Sequence, residues 1–181
     1  MKTEPNNDRN SLRSGTMSNN LIKALVDNYR QNHLSAIKDS LGIEDAHSIW
    51  FDLPKLKRFI AMVEEEAKKV NPDTTEEDLG IRFYYASYPK AENWDIMESH
   101  PVPEEYAEKH TLVLIPTLKR TNEEGESLHY DFNPLQSNDG EKISLGLSSA
   151  RKSGPSDDDG GTIGENNGQL IPPSTSIGES F

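Results

Sequence analysis

The chain has 181 residues, no cysteine and a formal net charge of −12. The missing cysteine excludes disulfides, thiolate nucleophiles and Cys-ligated zinc, and the acidic balance disfavours a phosphate backbone, hence nucleic acid, as a general partner. Hydrophobic residues make up only 33 %, which predicts one compact domain carrying polar, poorly ordered ends.

Residues 1–17 are polar and lack the apolar stretch of a secretory signal, so they read as a disordered leader. No run reaches the length of a membrane span. A soluble, cytoplasmic protein without membrane contact is the expectation. A first helix is predicted from Ser18 or Asn19, either able to cap it. Its stripe is Ile22, Leu25, Val26, Tyr29, His33, Ile37 and Leu41, and Gly42 ends it. That stripe is expected to pack on a sheet, with His33 at the core boundary.

The stretch 47–89 reads as strand, helix, strand. His47–Phe51 has branched and aromatic residues on both faces. Asp52 is placed to cap the helix that follows, with Pro54 in its first turn. Leu53, Leu56, Ile60, Val63, Ala67 and Val70 recur at helical spacing, and Glu64–Lys68 and Glu65–Lys69 form i,i+4 pairs. Asn71-Pro72 stops the helix, and Ile81–Ser87 is the second strand. This order predicts a parallel crossover between the two strands, with antiparallel placement as the alternative. Lys55, Lys57 and Arg58 crowd the start of the helix, where the dipole favours anions, and mark an anion-binding candidate.

Pro89–Lys109 is a long connection, of the kind that often carries binding function. Tyr88 and Trp94 are its partner-binding candidates. His110–Thr117 is a third strand, apolar enough at Leu112–Ile115 to be central, with pairing expected to loosen at Pro116. A turn at Gly125 returns the chain as an antiparallel edge strand, Ser127–Phe132. From residue 133 to 181 the composition turns to Ser, Gly, Asn, Asp and Pro, which predicts a flexible acidic tail. It holds at most one marginal strand, at Ile143, Leu145 and Leu147. Leu170–Pro173 and Phe181 are candidates for a short recognition segment. The fold class is therefore α/β or α+β. A small mixed sheet of about four strands is covered by two helices within residues 18–132.

No phosphate-binding loop, dinucleotide fingerprint or nucleophile elbow occurs, and the histidines lack metal-ligand spacing. Asp157–Asp159 misses the alternating ligands of a calcium loop. No cofactor or metal is implied. The expected function is a non-catalytic protein-binding or regulatory module whose partner is another protein, met through the Trp94 loop or the tail. Assembly through the Ser127–Phe132 edge is a further possibility. The alternative is a hydrolase or phosphate-ester enzyme. Its site would be a strand rim where the topology brings Asp52, Ser87 and His110 together.

Overall fold

A computed structural model describes residues 15–133, 135 and 162–174. Residues 1–14 of the expected leader, the Ile143–Leu147 strand, Asp157–Asp159 and Phe181 lie outside them. The described residues form a mixed helix-and-sheet fold with two sheets, one of two strands and one of three. They divide into two units, a helical one up to Ile43 and a larger one from Glu44 onward. No described helix is long and apolar enough to cross a membrane.

The first unit is one helical run: α1 (Asn19–Asn28), a π-helical segment (Tyr29–Leu34) and α2 (Ser35–Leu41). The Ser18 hydroxyl caps it by accepting from the Leu21 amide at 3.3 Å, and Gly42 closes it with a left-handed φ of 71°. The π segment was not expected. Its wider turn rotates Ile37 and Leu41 away from the line of Ile22, Leu25 and Tyr29, so one continuous stripe becomes two short ones. No residue of the run is buried, and His33 stacks on Tyr29 at 5.8 Å between ring centroids.

The second unit begins with β1 (Ser48–Trp50), followed by α3 (Leu53–Val70). Asp52 caps α3 by accepting from the Lys55 amide at 2.8 Å. Phe59, Val63 and Ala67 form the buried row, while Leu53 and Ile60 stay exposed. The apolar residues of α3 lie on two adjacent rows, and the row carrying the Phe59 ring buries more surface. Lys69 bridges Glu65 at 3.1 Å and Glu66 at 2.7 Å. The expected Glu64–Lys68 pair is not among the described ion pairs.

The three-stranded sheet has the order β2 (Leu79–Ser87), β3 (His110–Thr121), β4 (Ser127–Asp131), and both pairings are antiparallel. Gly125 makes the β3–β4 turn at φ 83°. β1 does not join this sheet. It pairs instead with β5 (Gln169–Ile171), antiparallel, with Ile49 opposite Leu170. The parallel crossover predicted between β1 and β2 is therefore absent. A three-residue β1 found its ladder partner more than a hundred residues away, in the stretch predicted to be tail.

Residues 162–174 thus belong to the folded unit. Ile163 is buried with Phe59, Val63 and Leu114, and Leu170 with Ala46, Tyr88 and Tyr106. Glu165 exchanges both main-chain hydrogen bonds with Leu114, at 2.8 and 3.1 Å. Pro116 explains why β3 changes partner there. Its missing donor faces the β4 side, and its carbonyl accepts from the Phe132 amide at 2.9 Å. β4 therefore ends where Pro116 stands, and the strand's next donor on that side, Leu114, takes Glu165. β3 itself runs unbroken through the proline.

Gly168 shows how closely this segment is seated. A Cβ there would stand 2.8 Å from Phe51 Cζ and press on Ile49. Gly168→Ala is expected to cost about 1–3 kcal/mol through overpacking, read as a lowered urea midpoint. An unchanged midpoint would mean that the segment is not held against β1.

Candidate functional site

β2 and β3 place Ser87 directly opposite His110. The sequence-predicted third member, Asp52, is occupied as the α3 cap. The carboxylate that meets His110 is Asp45, just before β1. Asp45 is buried, and its oxygens accept from the His110 amide at 2.7 Å, the Ala46 amide at 2.8 Å and the His110 ring at Nδ1. Among the described residues Ser87 has no side-chain hydrogen bond. The rim therefore contains an oriented histidine with a serine beside it, and no hydrogen-bonded nucleophile. Asp45 sits in the irregular loop before β1 and acts across 65 residues, so no local pattern marks it.

Lys55 donates to the Asn167 carbonyl at 2.9 Å, which ties α3 to the segment before β5. Lys57 and Arg58 are exposed. None of the three lines the clefts described below. Tyr88 and Trp94, the partner-binding candidates, pack on each other, and Trp94 stays half-buried. Tyr88 is 4 % exposed and packs against Tyr106, with Trp94 tilted on it at 6.0 Å. The long connection is anchored by its aromatic residues, which turn inward. Burial raises the Tyr88 phenol above its ordinary range, opposed by a hydrogen bond from Thr111. A raised folded-state pKa stabilises the fold below the pH where free tyrosine ionises and withdraws that support above it. Stability is expected to fall through the alkaline range, and Tyr88→Phe is expected to flatten that fall in a pH series of thermal melts.

The sequence reading did not single out β2 as an open edge. The pairings assign it that place, since β2 is outermost in its sheet. Its donors and acceptors follow from two bonds. The Tyr88 amide donates to Lys109 at 3.0 Å, and Leu114 spends both main-chain groups on Glu165, on the far side of β3. Antiparallel alternation then turns the main-chain groups of Ile81, Phe83, Tyr85 and Ser87 away from β3. Among the described residues nothing pairs with them. The side chains of Ile81, Phe83 and Tyr85 share the α3 face. Ile81 packs into the core there, while Phe83 is 51 % and Tyr85 91 % exposed.

The edge is held from its other face. Arg82 and Tyr84 both bond the Asp131 carboxylate on β4, and Arg82 also donates to the His129 carbonyl at 2.8 Å. The Tyr84 hydrogen bond and the Asp131 charge hold the Arg82 guanidinium above its ordinary range. This clamp crosses β3 and fixes the direction of β2.

Among the described residues, clefts lie on either side of the end of α3. One, of about 250 Å³, runs between α3 and the start of β2. Ile60, Val63, Leu79 and Ile81 floor it, and Glu64 and Glu76 stand at it. The other, of about 390 Å³, lies between the end of α3 and the β3–β4 hairpin. There Asp73 and Asp78 oppose Lys119 and Arg120, a balanced set that favours neither sign of ligand. Hydrogen bonds from Thr75 keep the Asp78 carboxyl below its ordinary range. No family model, curated protein or solved structure matches this chain.

Proposed function

We propose that the protein is a non-catalytic protein-binding module that docks an extended segment of a partner protein along the free edge of β2. The observation that carries this reading is the row of outward main-chain groups at Ile81, Phe83, Tyr85 and Ser87, with two exposed aromatic rings beside it. Strand addition of this kind draws affinity from main-chain hydrogen bonds and specificity from alternate side chains. The nine-residue β2 contains no proline or bulge, two devices by which an edge is usually guarded, and its one charged side chain, Arg82, is engaged by Asp131. The Arg82–Tyr84–Asp131 clamp favours docking by holding the edge in place before a partner arrives. With a chain charge of −12, a basic segment complements the surface, whereas a second copy of the chain meets like charge.

Peptides selected from a random display library against the full chain test this reading, with Tyr85→Pro as the blocked edge. The Tyr85 amide faces outward, so proline removes a docking donor and no donor within the sheet. Wild-type and variant are expected to melt alike. The selected peptides are expected to bind the variant at least about tenfold more weakly, as the loss of a central hydrogen bond and a ring contact requires. Equal binding to Tyr85→Pro would overturn the proposal. So would a concentration-dependent dimer in sedimentation that the same substitution abolishes, since the edge would then belong to a second copy.

A further inference from the structure

The groove beside the free edge contains a carboxylate whose expected partner is missing. Glu64 was positioned to pair with Lys68, one helical turn on. In the structure Lys69 takes Glu65 and Glu66, and among the described residues neither Glu64 nor Glu76 has an ion pair. Glu64 is half-buried, and both stand at an apolar floor of Ile60, Val63, Leu79 and Ile81. A segment laid along β2 would cover this end of the groove and strip water from these carboxylates. That desolvation is costly unless a cation arrives with the segment.

We infer that the groove selects a lysine or arginine two residues beyond an apolar side chain in the docked segment, an inference that rests on the edge-pairing reading above. The spacing comes from the strand. Side chains on one face of an extended segment recur every second residue, about 6.8 Å apart. Antiparallel pairing, the arrangement of both neighbouring pairs in this sheet, runs the segment from the Ser87 end of β2 to the Leu79 end. Its groove-facing side chains then meet the Phe83–Tyr85 rings, the Ile60–Ile81 floor and the Glu64–Glu76 rim in that order. The recognised pattern reads apolar, any, apolar, any, basic, from N to C terminus. An acidic residue at the last position is rejected by like charge beside an apolar surface.

A library of capped peptides tests this, with threonine fixed at alternate positions and the three groove-facing positions varied. Selection is run against the wild-type chain, the Glu64→Gln/Glu76→Gln variant and Tyr85→Pro. The wild type is expected to enrich apolar residues at the first two varied positions and lysine or arginine at the third. The double variant is expected to keep the apolar preference and lose the basic one. Changing the third position to glutamine should weaken wild-type binding about tenfold and leave the double variant's binding unchanged, the scale of one charge-assisted contact. A basic preference that is absent from the wild type, or that survives in the double variant, overturns the groove inference. The edge reading then still stands if Tyr85→Pro abolishes enrichment. Equal enrichment by wild type and Tyr85→Pro overturns both.

Discussion

Leu170→Ala is expected to destabilise the larger unit by about 3 kcal/mol or more, the range for truncating a fully buried leucine whose surroundings relax little. Leu170 is 0 % exposed and is packed with Ala46, Tyr88 and Tyr106. Its amide donates to the Tyr106 hydroxyl at 3.3 Å, and its strand partner is Ile49. Three parts of the chain therefore meet on one side chain: the loop before β1, the end of β2 and the long connection after it. Little else can close over the space that alanine leaves, because Tyr88 and Tyr106 are themselves fixed by hydrogen bonds. Urea unfolding measures the loss. A change below about 1 kcal/mol would mean that residues 162–174 are an accessory to the fold, since peripheral substitutions usually fall within that limit.

Asp45→Ala is expected to cost a similar amount, about 3 kcal/mol, by a different route. The carboxylate satisfies two main-chain amides and the His110 ring. Removing it leaves the Ala46 and His110 amides without their acceptor, and each unsatisfied buried donor costs about 1–3 kcal/mol. Asp45→Asn keeps one carbonyl acceptor and is expected to lose less. Asp52→Ala is the control, because that residue only caps a helix and its loss is expected to cost about 1 kcal/mol. If the Asp52 variant proved the more damaging of the two, the assignment of Asp45 as the anchor of His110 would fail.

Features written in neighbouring residues were legible in the sequence. Ser18, Asp52, Gly42 and Gly125 act within a few positions of themselves, and each stands where its chemistry placed it. The strands at Ile81–Ser87, His110–Thr117 and Ser127–Phe132 were readable from their alternation and apolar runs, although one end of each moved, to Leu79, Thr121 and Asp131. The partnerships were not. β1 pairs with β5, and Asp45 with His110, across separations over which no periodicity extends. Residues 162–174 read as tail because their composition is polar. Their burial rests on three side chains, Ile163, Leu170 and Ile171, and on glycines small enough to sit against β1 and β3.

The candidate site was displaced for a related reason. Ile81–Ser87 carries aromatic residues on both faces, a pattern that does not tell a central strand from an edge strand with one ring row in solvent. Tyr88 and Trp94 were named as partner-binding candidates, and both pack into the cluster around Leu170, Tyr88 buried and Trp94 partly so. Phe83 and Tyr85, earlier on β2, are the rings of that strand that stay exposed on the α3 face.

Amide hydrogen exchange on β2, with and without a display-selected peptide, bears most directly on the docked-segment reading. Free chain is expected to exchange rapidly at Phe83 and Tyr85, whose amides face outward, and slowly at Tyr84 and Ala86, whose partners lie on β3. Bound peptide is expected to slow Ile81, Phe83, Tyr85 and Ser87 together, an alternate-residue pattern that only a paired strand produces. Peptide that binds without protecting those alternate amides would contradict the account.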